Sequence, residues 1–170
     1  MILFPDVLRT QAAFVLDTCW KAGVRVATAE SCTGGLIGAV LTEIPGASAV
    51  IDRGFITYSN DAKIALLDVP ADLLDTCGAV SEPVARAMAE GVLVRCPAVH
   101  LAIGVTGIAG PDGGSPTRPV GLVHIAVARR GGSTLHRKAV FPGERTAVRL
   151  ATVAAALALL AASVRGDAEG

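Results

Sequence analysis

The sequence predicts an α/β fold: a single-domain, three-layer sandwich. Its mixed, mostly parallel sheet has about five or six strands, helices on both faces and a C-terminal antiparallel hairpin. Three observations predict it. Hydrophobic residues make up 52% of the 170 residues but aromatic ones only 4%, so Ala, Val, Leu and Gly fill the interior, as in a buried parallel sheet. Short apolar runs alternate with stretches of helical spacing along the whole chain. Two Gly-rich segments each leave the end of an apolar run, where open α/β sheets bind ligands.

The elements follow in order. Asp6 to Lys21 has helical spacing (Val7, Leu8, Ala12, Phe14, Val15, Cys19) and Gly23 stops it. Val24 to Ala27 reads as the first strand, followed by a helix from Thr33 to Glu43 that ends at Pro45-Gly46. Ala49 to Ser59 reads as the second strand. Ser59 or Asn60 then caps a short helix, Asp61 to Leu67, and a further helical piece reaches Thr76. Ser81 is the expected N-cap of a helix from Glu82 to Arg95, with Pro83 in its first turn and Cys96-Pro97 as its stop. Val99 to Val105 is apolar throughout, as a central strand should be. Leu122 to Ala128 and Thr134 to Phe141 flank the turn Arg129 to Ser133 and read as a hairpin. Glu144 to Val164 is the last helix. Residues 1–165 are read as one domain and 166–170 as a tail.

Composition excludes several classes. The formal net charge is zero, so no basic field points to nucleic acid. No basic segment precedes the first apolar residues, so no signal peptide is read. Leu150 to Val164 is too short and Ala-rich for a membrane span and reads as a buried helix or an oligomer face. The four cysteines, Cys19, Cys32, Cys77 and Cys96, have no metal-binding spacing, and a reducing cytoplasm is the simplest setting.

The first Gly-rich segment, Thr28-Ala29-Glu30-Ser31-Cys32-Thr33-Gly34-Gly35, reads as a sharp turn from strand into helix. Unpaired N–H groups at such a corner can hold an anion or an oxyanion. Gly34 and Gly35 leave room for a ligand. Ser31 is the candidate nucleophile and Cys32 a second one, because a thiol at a helix N-terminus can have a lowered pKa. The other reading makes Ser31 or Thr33 a plain N-cap. The second segment, Thr106 to Pro116, is neither a Walker loop nor a dinucleotide fingerprint, yet can cradle a phosphate. Arg145, at the start of the last helix, can bind a phosphate or carboxylate bidentately.

No catalytic base is obvious. His100, His124 and His136 all lie in or beside apolar strands, and there is no GxSxG elbow or metal cluster. Lys63 is the best remaining base for Ser31, with Tyr58 as a relay. Its place in the first turn of a helix runs against the helix dipole, a local conflict that raises a functional reading beside the plain one of a solvated surface lysine, and a lysine works as base only when its pKa is pulled down.

Taken together, Ala29 to Gly35, Tyr58-Ser59-Asn60 with Lys63, Gly78-Ala79-Val80-Ser81, Thr106 to Pro111 with Gly113-Gly114, Pro119-Val120-Gly121, and Phe141-Pro142-Gly143 with Arg145 resemble the nicotinamide-nucleotide amidase family. This is also the C-terminal domain of competence-damage-inducible protein A, and the resemblance spans roughly residues 8 to 163. It implies hydrolysis of the carboxamide of nicotinamide mononucleotide to nicotinate mononucleotide and ammonia, in pyridine nucleotide recycling. It implies no cofactor, no metal, a homo-oligomer, and a stand-alone form without the larger N-terminal domain of many relatives. The family's serine and lysine carry over onto Ser31 and Lys63; Tyr58 matches a position where tyrosine is frequent. The mechanism implied is acyl transfer, with N–H groups around Cys32 and Thr33, joined by Thr106 or Gly107, holding the oxyanion. Gly110, Gly113, Gly114 and Arg145 are the candidates for ribose and phosphate. Arg53, where a glycine is common, and Arg118, where a lysine is usual, depart from the family pattern. Two other readings stay open on the sequence: a nucleotide-holding module without turnover, and an amidase for another small amide.

Overall fold

The computed structural model describes residues 3–165. The tail expected over 166–170 lies outside the described residues. The five strands are β1 (Val26–Glu30), β2 (Ile51–Ile56), β3 (Leu101–Gly107), β4 (Leu122–Arg129) and β5 (Leu135–Val140), in the order β2-β1-β3-β4-β5. β1 pairs in parallel with β2 and β3, while β3–β4 and β4–β5 are antiparallel. Every strand except β4 therefore points the same way, and the expected hairpin is β4–β5.

Helices α1 (Asp6–Lys21), α2 (Leu36–Thr42) and α6 (Arg145–Arg165) cover one face. α3 (Asn60–Leu67), α4 (Ala71–Cys77) and α5 (Glu82–Arg95) cover the other. Alternation along the strands divides the core by size. Val26, Leu101, Ile103, Val105, Val123, Ile125 and Val127 face α1, α2 and α6. Ala27, Ala29, Ala102, Ala126 and Ala128 face the α5 side. That small-residue face brings α5 close: a methyl on Gly104 would sit 2.5 Å from the Ala85 carbonyl oxygen and 2.8 Å from the Ala89 nitrogen.

α6 is long and apolar enough to cross a membrane by length and composition, but half of its most apolar window is buried within this fold. Val148, Val153, Ala156, Leu157 and Leu160 pack into the core with α1.

Two boundaries near the first Gly-rich segment differ from expectation. β1 continues through Thr28, Ala29 and Glu30, so the corner starts only at Ser31. α2 begins at Leu36 instead of Thr33, because Gly34 and Gly35 adopt φ of +57° and +95°, which no right-handed helix contains. Ser59 caps α3 as expected, its Oγ accepting from the Ala62 N–H at 3.0 Å. Ser81 occupies the N-cap position of α5 as expected but makes no side-chain cap bond; its hydroxyl donates to the Gly78 carbonyl at 2.8 Å.

Chain order also locates a crevice. From central β1 the chain passes over one face to β2, then returns over the other to β3. The carboxyl ends of β1 and β3 flank this switch point, and Ser31 and Thr106 stand there.

Candidate active site

The corner that carries Ser31 is held from two sides. Glu30, only 1% exposed, turns its carboxylate under the start of α2. It accepts from the Gly35 N–H (3.0 Å), the Ile37 N–H (3.0 Å), the Gly38 N–H (2.8 Å) and the Thr28 hydroxyl (3.2 Å). The orphan donors of the helix start are thus consumed within the fold and cannot meet an oxyanion. On the other side, Arg149 of α6 donates to the Cys32 carbonyl (3.1 Å) and the Thr33 carbonyl (2.9 Å). The Ser31 N–H belongs to the sheet, donating to Val105 O at 3.0 Å. The Cys32 N–H donates to no oxygen among the described residues, its one contact being with its own sulfur, and it belongs to a residue that lines the cleft.

Lys63 is 1% exposed, and its Nζ lies 3.1 Å from Ser31 Oγ, 2.9 Å from Thr57 O and 3.4 Å from Tyr58 O. No carboxylate pairs with it among the described residues. Burial therefore pushes its pKa below the ordinary lysine value. A neutral amine fits this environment: two N–H bonds go to the two carbonyls, and the lone pair accepts from the Ser31 hydroxyl. Cys32 is unsuited to be the nucleophile. It is buried, and burial raises its thiol to about 11, so it stays protonated at neutral pH.

Ser31 and Lys63 open into a cleft of about 300 Å³ whose other walls include Tyr58, Asn60, Ala79, Val80, Thr106, Gly107, Gly110, Asp112, Gly113 and Arg145. Cys32 lines it as well. Thr33, Gly34, Gly35 and Gly114 do not: the first three build the corner behind it, and Gly114 packs on Val120. Tyr58 is not a relay between Ser31 and Lys63. Its ring is exposed at the mouth, and its hydroxyl accepts from Arg145 at 3.0 Å, so only its backbone carbonyl meets Lys63. Arg145 also donates to Gly110 O at 2.8 Å, which ties the second Gly-rich loop to α6. The Thr106 hydroxyl is engaged by Ala79 O at 2.8 Å and is no free oxyanion donor.

No histidine lines the cleft. His124 and His136 stack with a 2.9 Å contact between their ring nitrogens, and His136 meets Glu82. His100 accepts from the Arg25 N–H at 2.9 Å. A larger hollow of about 610 Å³ beside β2, lined by Thr42, Asp52 and Arg53, contains no nucleophile paired with a base. Arg53 pairs there with Asp52 at 2.5 Å, and Arg118 donates to Cys77 O at 2.6 Å, so both departures have local partners. No His, Cys, Asp or Glu cluster among the described residues could hold a metal ion.

The profile of the CinA C-terminal domain family matches residues 8–164. The chain belongs to this family. A CinA-like protein of Anaeromyxobacter sp. (strain Fw109-5) is 47% identical over 163 residues, which are 96% of this chain and 39% of that protein. A putative competence-damage inducible protein of Symbiobacterium thermophilum is 57% identical over 111 residues, 65% of this chain and 26% of that protein. The chain thus spans well under half the length of the curated relatives it matches. Solved CinA-family structures match over nearly their whole length. The competence/damage inducible protein CihA from Agrobacterium tumefaciens is 49% identical with a TM-score of 0.92, covering 97% of this chain and 99% of that one. The competence damage-inducible protein A from Klebsiella pneumoniae subsp. pneumoniae MGH 78578 is 36% identical with a TM-score of 0.88, covering 93% and 97%.

Within this CinA-family fold, sequence reasoning missed two residues that shape the site. Glu30 sits in the first motif, but its role needs the left-handed glycines that swing α2 back over it. Arg149 had one signal: with Arg145 it forms an i, i+4 pair on one face of α6.

Proposed function

We propose that this CinA-family domain hydrolyses the carboxamide of nicotinamide mononucleotide, releasing ammonia and nicotinate mononucleotide, with Ser31 as nucleophile and Lys63 as general base. The observation that carries the reading is the 3.1 Å contact between a buried amine, with no carboxylate partner among the described residues, and a hydroxyl at the carboxyl end of β1. The motif resemblance supplies the substrate. The cleft is consistent with it, having an arginine at its mouth and a polar, Gly-rich wall.

In this mechanism Ser31 Oγ attacks the amide carbon while its proton passes to neutral Lys63. The carbonyl oxygen takes up the negative charge beside the Cys32 N–H. As the tetrahedral intermediate collapses, the C–N bond breaks and Lys63 returns the proton to the departing ammonia. Water, losing a proton to Lys63, then attacks the acyl-serine ester; as the ester's C–O bond breaks, Lys63 passes that proton to the departing Ser31 Oγ, which frees the acid and restores the serine and the neutral lysine. Arg145 keeps N–H donors beyond those given to Gly110 and Tyr58, and it holds the phosphate.

The deciding test is ammonia release from nicotinamide mononucleotide by the wild-type chain and by Ser31→Ala. Turnover by the wild type alone supports the reading. Tight nucleotide binding with no ammonia from either would make the domain a binding module.

A further inference from the structure

We infer that Arg149 is a positioning residue that acts on the oxyanion through the backbone of the Ser31 corner, without lining the cleft itself. This rests on the proposed serine–lysine chemistry but not on the identity of the substrate. The geometry is a chain of bonds. Arg149 donates to the Thr33 carbonyl at 2.9 Å. That carbonyl shares a peptide unit with the Gly34 N–H, which donates to the Ser31 carbonyl at 3.0 Å. The Ser31 carbonyl in turn shares a peptide unit with the Cys32 N–H, the donor beside the nucleophile. A trans peptide sets its C=O and N–H in opposite directions, so fixing each oxygen aims the next hydrogen.

Two consequences follow. The guanidinium holds the corner rigid, because its second bond, to the Cys32 carbonyl at 3.1 Å, fixes the peptide between the other two. It also polarises the chain, since each bond in a series strengthens the next and a cation heads this one. The Cys32 N–H is thereby a stronger donor than an isolated amide. Gly34 fits the same account: a methyl there would lie 3.3 Å from the Arg149 Nη2 and crowd the guanidinium. Glu30 supplies the opposite half of the frame, holding N–H groups while Arg149 holds carbonyls.

The test uses a fluorophosphonate, which needs a nucleophilic serine and an oxyanion donor but no nucleotide. Ser31 Oγ bonds to phosphorus, the P–F bond breaks, fluoride leaves, and the hydroxyl proton passes to Lys63. Arg149→Met is expected to slow labelling of Ser31 roughly 10-fold, short of the roughly 10²-fold or more that deleting an oxyanion donor itself costs, because the Cys32 N–H is misaimed and weakened but still present. The pH midpoint of labelling should stay where Lys63 sets it. Arg149→Lys, which cannot span two carbonyls as a guanidinium does, is expected to recover only part of the rate and serves if the Met variant does not fold. Arg129→Met is the control, because Arg129 also ties the sheet to α6, donating to Ser163 O at 2.8 Å, but far from the corner in sequence. It should label at the wild-type rate. Wild-type labelling of Arg149→Met, equal slowing in Arg129→Met, a shifted pH midpoint, or a wild type that is not labelled would each overturn the inference. If labelling depends on Arg149 but nicotinamide mononucleotide yields no ammonia, only the substrate assignment falls.

Discussion

Lys63 Nζ lies 3.1 Å from Ser31 Oγ, with no carboxylate among the described residues to share it. A buried ammonium without a counter-ion is unstable relative to the free amine. Burial thus lowers the lysine's proton affinity, and the free amine can take a proton from the hydroxyl 3.1 Å away. The pair comes from two separate strand–helix units, β1–α2 and β2–α3, which only the parallel β1–β2 pairing brings together.

Removing the nucleophile should leave the fold intact. Ser31→Ala deletes one hydrogen bond, and Lys63 keeps the Thr57 and Tyr58 carbonyls. Ammonia release is expected to fall at least about 10³-fold with an unfolding midpoint near that of the wild type. Retained turnover would remove Ser31 from the chemistry.

The pH profile should have one basic limb from Lys63. Only the neutral amine accepts a proton, so kcat/KM is expected to rise with pH and level off below the ordinary lysine value of about 10.4. A pH–rate series between neutrality and that value checks it; a rate that falls across the interval would contradict a lysine base.

Lys63→Met should separate stability from activity. A lysine whose folded pKa is depressed binds fewer protons folded than unfolded, so wild-type stability falls as pH drops from the unfolded toward the folded pKa. The Met variant has no such term. It is expected to be inactive, to unfold at a higher temperature than wild type near neutrality, and to lose that advantage as pH rises. Melting curves at several pH values measure this, and an advantage growing with pH would refute it.

Glu30→Gln should weaken the start of α2. The amide keeps one acceptor oxygen and places an NH2 against N–H donors where a carboxylate accepted three backbone bonds. A loss of about 2–3 kcal/mol is expected in denaturant unfolding, the range for bonds to a charged group. A variant as stable as wild type would mean that the helix start finds other acceptors.

Arg145→Ala tests phosphate recognition. Its KM for nicotinamide mononucleotide should rise roughly 10- to 100-fold, matching the loss of a charged hydrogen bond, with kcat little changed. The phosphate-free nucleoside should be handled alike by both proteins. An equal change for the two substrates would assign Arg145 to holding the Gly110 loop instead.

Much of this was legible in the sequence because it was local. The span of α1 and α5, the Ser59 cap, the hairpin and the apolar β3 all follow from spacing and punctuation within a few residues. Ser31 and Lys63 stood out through residue type and position at strand ends. The rest depended on distant packing. Only the left-handed turn at Gly34 and Gly35 brings α2 over Glu30, so the helix start looked free to bind an oxyanion when it was already filled. Tyr58 looked like a relay because it lies close to Lys63 in the chain, but its side chain turns to Arg145, 87 residues on. Arg149 reaches Cys32 across 117 residues, a distance at which no spacing rule operates.

The alanine-lined side of the sheet extends its influence to the site. α5 rests almost against the backbone at Gly104, and the chain entering it, Ala79 and Val80, forms one wall of the cleft. Any bulk added beneath the helix would lever that wall outward. The width of the cleft is therefore gauged by methyl groups and a bare backbone that do not themselves line it.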